Sequence, residues 1–153
     1  MVSNTKSNIK CSSKSIGSYY EKLAADFFIK RNYKLVAKNF FTRFGELDLV
    51  LIKDMYNAEI NTNELLLNYS YEKPYFYPEL IFCEVRYRKN AKFGGAIASI
   101  TANKQQKIIK SANIFISRYN LFNYDCRFDV LCIQPTGSKI KIEWLKSAFD
   151  VQL

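Results

Sequence analysis

The stretch "LIFCEVRYRK", residues 80–89, decides how this chain is read. It opens as a buried strand, with Leu80, Ile81, Phe82 and Cys83 all apolar. A carboxylate, Glu84, then interrupts it, and a guanidinium, Arg86, follows two residues later. Side chains along a strand repeat every two residues, so Glu84 and Arg86 point to the same face. A half-buried strand that carries two opposite charges on one face needs a reason for them.

A second strand supplies part of that reason. "GELDLVLI", residues 45–52, is apolar on both faces except for Glu46 and Asp48, which alternation puts on one face. Paired antiparallel with Asp48 near Glu84, this strand sets Ile52 near Leu80. Asp48, Glu84 and Arg86 then share a face, with Glu46 at its edge. Two buried carboxylates side by side repel each other unless something positive sits between them. A divalent cation is one solution, because Mg²⁺ prefers oxygen ligands and needs only one or two protein carboxylates. Arg86 acting as an internal counter-ion is the other.

Outward from these strands, "SYYEKLAADFFIKRN" (18–32) reads as a helix. Tyr20, Leu23, Ala24, Phe27 and Phe28 form one apolar stripe. Ser18 with Glu21 three residues on fits a capping box, and Asn32 suits the helix end. "YKLVAKNFF" (33–41) reads as a strand. Residues 53–79 are acidic, rich in Tyr and Asn, and contain Pro74 and Pro78. Adjacent antiparallel strands need only a few linking residues, so this segment reads as an insertion, with a short helical piece around "NELLLNY". "KFGGA" (92–96) is a turn. A second helix is expected from about Thr101 to Tyr119, burying Ile108, Ile109, Ala112, Phe115, Ile116 and Tyr119. "CRFDVLCI" (126–133) is a strand, and "KIKIEWL" (139–145) is a last edge strand turned by "PTGS". The order is α-β-β-β-α-β-β: an α/β fold with a mixed sheet. Residues 1–16 read as a flexible basic tail and residues 17–153 as one domain.

Composition narrows the chemistry. The 153 residues, 48% hydrophobic, suit one sizeable core. The net charge is +9, and residues 54–80 are acidic at −4 while the flanking regions carry +6 and +7. Such a basic body suits a polyanionic partner, although a high isoelectric point alone explains it equally well. The four cysteines lack CxxC spacing and read as buried thiols of a reducing, cytoplasmic compartment. The chain contains no histidine, which excludes Ser-His and Cys-His nucleophiles and the usual catalytic zinc sites. No apolar run is long enough to span a membrane, and the N-terminus lacks the apolar core of a secretory signal.

"GELDLV", "FCEVRYR", "FGGA", a Lys-rich helix and "CRFDVL" occur in the same order as in the YraN-type family of small, poorly characterised proteins, which the chain resembles over residues 17–149 outside the insertion. That family resembles the restriction-endonuclease-like nucleases and, among them, archaeal Holliday junction resolvases. The resemblance implies a central mixed sheet flanked by helices and a metal-dependent phosphodiesterase site. It matches an acidic residue of the first helix to Glu21, the strand aspartate to Asp48, and a Glu-x-Lys to Glu84-Val85-Arg86.

Under that reading Asp48 and Glu84 hold Mg²⁺ or Mn²⁺, and Glu21 completes the site, through water. A helix cap explains Glu21 equally well. Lys104, Lys107, Arg88 and Lys89 contact the nucleic-acid backbone, DNA being the expected partner, and a solvated helix start accounts for the two helical lysines equally well. Asp129 reads as structural. Arg86 stands where the resembled family has Lys, which keeps the charge but not a compact ammonium. Tyr20 stands where it has Gly. The expected function is metal-dependent cleavage of DNA, branched or single-stranded. The alternatives are a nucleic-acid-binding module without turnover and a protein-interaction role centred on the insertion. Junction-cutting relatives imply a homodimer.

Overall fold

A computed structural model describes residues 13–53, 78–88 and 100–150. The order is α1 (Ser13–Ile29), β1 (Lys34–Thr42), β2 (Gly45–Lys53), β3 (Glu79–Tyr87), α2 (Ala102–Tyr119), β4 (Asp125–Thr136) and β5 (Lys139–Leu145). This is the α-β-β-β-α-β-β order read from the sequence. The tail before Ser13, the insertion over 54–77 with its helical piece, "KFGGA" and Lys89 lie outside the described residues.

The five strands form one mixed sheet in chain order, β1-β2-β3-β4-β5. All neighbours are antiparallel except β3 and β4, which are parallel. A parallel pair needs a long crossover, and α2 lies within it. In the β2–β3 ladder Ile52 pairs with Leu80, as the shared acidic face required.

Both faces of the sheet are covered, which accounts for the nearly unbroken apolar runs of β2, β3 and β4. On one face Val50, Ile52, Leu80, Phe82 and Val130 pack with Ile108, Ala112 and Phe115 of α2. On the other, Leu49, Leu51, Ile81, Cys83 and Leu131 pack with Ala24, Ala25 and Phe28 of α1. Leu47 breaks the alternation. It packs with Val50 and Ile52, out of step with Leu49 and Leu51, so β2 is irregular around Asp48.

Helix α1 starts at Ser13, inside the stretch read as tail, and runs through Gly17 and Ser18. Ser18 is therefore not an N-cap, and the capping-box reading of Glu21 does not hold. The helix closes at Asn32, whose φ of 63° is the left-handed conformation Asn tolerates. The Asn32 N–H donates to Ile29 O and the Tyr33 N–H to Phe28 O. The Phe28 and Tyr33 rings pack edge to face across this closure. At α2 the Thr101 hydroxyl caps the start by accepting from the Lys104 N–H. The buried Ser111 shares a 2.7 Å hydrogen bond with Thr42, tying α2 to the end of β1.

Asp129 is fully buried and structural. It accepts from Arg127 through both oxygens, from Trp144 Nε1 at 2.8 Å and from the Ser147 N–H at 3.0 Å. Arg127 also pairs with Glu79. This network fixes the edge strand β5 and seats Trp144 against Phe27, Phe28 and Tyr33. Of the cysteines, Cys83 and Cys132 are buried free thiols as expected, whereas Cys126 is exposed because it sits at the open start of β4. No helix among the described residues is long and apolar enough to cross a membrane. Asp129→Ala leaves the Trp144 and Ser147 donors without their acceptor and Arg127 with Glu79 alone. We expect a loss of about 3–5 kcal/mol in chemical denaturation, the usual cost of breaking a buried charge pair.

Candidate acidic site

The site begins where the β2–β3 ladder stops. Its last pair is Leu49 with Cys83, and the next step would set Asp48 opposite Glu84. There the Asp48 side chain takes over from the backbone: its Oδ2 accepts the Val85 N–H at 2.8 Å. That bond satisfies a strand donor the broken ladder would leave free, and it pins the carboxylate beside Glu84.

Glu84 is 5 % exposed on β3. Its Oε1 meets two cations, the Lys104 ammonium at 3.0 Å and an Arg86 guanidinium nitrogen at 3.4 Å. Lys104 comes from the first turn of α2, on the opposite layer from α1. Glu21 comes from α1. Its Oε2 accepts from Asn39 Nδ2 at 3.0 Å and pairs with Lys38 at 3.7 Å, which ties it to β1. Asn39 holds a left-handed φ of 54° within the strand.

Burial pushes the Asp48 carboxyl up to about 7, and the neighbouring Glu84 charge adds to this. The Val85 N–H and the Lys104 ammonium pull it down, and Glu21 pushes it up. The Asp48 carboxyl therefore holds its proton more tightly than an exposed one, chiefly because it is buried, although two cations stand on the neighbouring Glu84.

The remaining candidates are placed as follows. Arg88 follows β3 directly, and its N–H donates to Ile133 O, prolonging the parallel pairing. Lys107 is exposed and runs beside the β1–β2 turn, where a side chain added at Gly45 would sit 3.9 Å from its Cβ. Lys110 and Arg43 lie over the Phe44 ring of the same turn. The structure thus brings Asp48, Glu84, Arg86 and Lys104 together, sets Glu21 within electrostatic reach of Asp48, and leaves Lys107 to one side. Glu46 Oε1 is buried without a hydrogen-bond partner among the described residues. Asn39 and Lys38 were not singled out from the sequence. The one available signal was a polar Asn inside an apolar strand.

Among the described residues no three acidic, Cys or His side chains converge to hold a metal by themselves. Asp48 and Glu84 are the pair that could hold one, with water filling the other positions, and their hard oxygen donors fit Mg²⁺ or Mn²⁺.

The raised carboxyl has a consequence for stability. An unperturbed Asp titrates near 3.9, so between about pH 4 and 7 the folded protein holds this proton more tightly than the unfolded chain. The contribution of Asp48 to stability is therefore fully present below about pH 4, declines as the pH rises towards 7 and is lost above it. Asp48→Asn removes the charge and can still accept the Val85 N–H. We expect it to be more stable than wild type at pH 8 by at least about 1 kcal/mol, since one pKa unit is worth about 1.4 kcal/mol. The difference should vanish near pH 4 in thermal unfolding followed across pH.

Comparison with known proteins places the chain within a family. The profile of Uncharacterised protein family UPF0102 matches residues 20–133, a span that contains Glu21, Asp48, Glu84, Arg86 and Lys104. A UPF0102 protein of Legionella pneumophila (strain Corby) is 36% identical over 135 residues, covering 88% of this chain and 93% of the relative. One of Vibrio parahaemolyticus is 31% identical over 140 residues, covering 91% and 95%. One of Vibrio cholerae (strain M66-2) is 35% identical over 134 residues, covering 86% and 89%. With a profile match over most of its length and relatives above 30% identity along nearly all of it, the chain belongs to the UPF0102 family.

Proposed function

We propose that this protein is a divalent-cation-dependent phosphodiesterase acting on nucleic acid, with DNA as the substrate the family resemblance suggests. The observation that carries the reading is the carboxylate pair at the broken end of the β2–β3 ladder, with the Asp48 carboxyl pushed up to about 7 and two cations beside Glu84. The mixed sheet between two helices supports the restriction-endonuclease-like comparison.

Asp48 and Glu84 would hold Mg²⁺ or Mn²⁺. When bound, the cation polarises a phosphate and lowers the pKa of a bound water. The chain's own residues do the rest. The Val85 N–H orients Asp48. Arg86 can clamp two phosphate oxygens with its planar fork. Lys107, Lys110 and Arg43 present positive charge along the β1–β2 turn, where a nucleic-acid backbone would be held.

A second reading is a binding module that grips nucleic acid without cutting it. What favours it is that Lys104 and Arg86 already stand on Glu84.

The two separate in one set of assays on labelled branched and single-stranded DNA with Mn²⁺. As a phosphodiesterase, the wild type cleaves, and Asp48→Ala and Glu84→Ala each lower cleavage by at least about 100-fold while keeping the native circular dichroism, the scale of losing one charge-stabilising group. Undiminished cleavage in either variant defeats the enzyme reading. As a binding module, the wild type never cleaves, yet its affinity drops by about 10³ or more between 50 and 200 mM salt, as for a protein making six or more phosphate contacts.

A further inference from the structure

Two cations meet the same oxygen of Glu84, and they are not equivalent. The Lys104 ammonium stands at hydrogen-bond distance, 3.0 Å, while the nearest Arg86 nitrogen is at 3.4 Å. Arg86 belongs to β3 itself, and its Nε is buried with no hydrogen-bond partner among the described residues. Its side chain is otherwise about as exposed as that of Lys104, so the difference between the two cations lies in distance and in the element that carries them. Lys104 reaches the carboxylate from another layer, on a four-carbon stem whose side chain is 33% exposed.

Lys104 also sits where a cation is locally unfavourable. It lies in the first turn of α2, which contains no acidic residue, and positive charge there opposes the helix dipole. The lysines that follow at three-residue spacing go elsewhere: Lys107 is exposed, and Lys110 lies over the Phe44 ring. Lys104 alone of the three is turned into the acidic centre, and it also eases the charge on Asp48. An ammonium has three donors and rotates freely, so one bond to Glu84 leaves two for other oxygens.

We propose that Lys104 is the ammonium of the acidic centre: it holds Glu84 in the free protein, and it would turn to a substrate phosphate where Asp48 and Glu84 held a divalent cation. The proposal deepens the phosphodiesterase reading and rests on it. Arg86 then serves in substrate binding, and the strand needs no lysine at its position.

The test uses the full chain and two readouts, Mn²⁺-dependent DNA cleavage and Mn²⁺ affinity by calorimetry, with thermal unfolding confirming each variant's fold. Lys104→Met should lower kcat by at least about 100-fold, the scale seen when one charge-stabilising donor is lost. Lys104→Arg should not restore it. Arg86→Met should act mainly by raising KM. Lys104→Met should also bind Mn²⁺ at least about 3-fold more tightly, because no ammonium competes for Glu84. Lys104→Gln replaces Lys104→Met if the latter does not fold. A kcat within about threefold of wild type, full rescue by Lys104→Arg, or Mn²⁺ affinity that stays the same or falls overturns the proposal. If the wild type cleaves no DNA, the phosphodiesterase reading fails, and the Mn²⁺ titration alone decides whether Lys104 competes for the carboxylates. Absence of Mn²⁺ binding by both proteins overturns both.

Discussion

Two carboxylates set side by side inside a sheet must be neutralised, and the site is organised around how that happens. The β2–β3 register brings Asp48 up to Glu84, and the ladder breaks at the point of contact. The break frees the Val85 N–H for Asp48. It also lets Leu47 join the α2-side core, out of step with its neighbours. Positive charge is then imported from α2 through Lys104 and from β3 through Arg86. Even so, the Asp48 carboxyl stays well above its usual range.

Asp129 makes the contrast plain. It is as deeply buried as any group among the described residues, yet every bond around it is structural. Arg127, Trp144 and the Ser147 backbone give its two oxygens four hydrogen bonds. Nothing further is needed there, and the reward is a fixed edge strand. Asp48 receives one backbone bond, and Glu84 receives two cations that solvent also reaches. Asp129 is closed by hydrogen bonds, whereas Asp48 and Glu84 keep oxygens that the described bonds do not fill, which is what the proposed cation site rests on.

Much of the fold was legible because strong periodicity leaves little choice. The two-residue alternation of charge in "CEVR" and "GELD" set the β2–β3 register, and Ile52 pairs with Leu80 accordingly. The i, i+3, i+4 stripes of α1 and α2 identified the faces that pack on the sheet. The turn at "PTGS" appeared where Gly137 adopts a φ of 60°. What escaped was set by interactions between elements. A capping-box spacing at Ser18 and Glu21 is overridden by a helix that begins earlier, and Glu21 instead answers to Asn39 and Lys38 of β1. The partner of Lys104 lies 20 residues away in sequence, across a crossover, where local pattern has no reach. Strand alternation alone also hid the irregularity at Asp48.

The central claim is that Asp48 and Glu84 together form a cation site. A crystal soaked in Mn²⁺ and measured at the manganese absorption edge tests it most directly. The account predicts an anomalous peak between the Asp48 and Glu84 carboxylates, with the Lys104 ammonium withdrawn from Glu84. Full Mn²⁺ exposure with no peak there, and Lys104 and Arg86 still seated on Glu84, would contradict it.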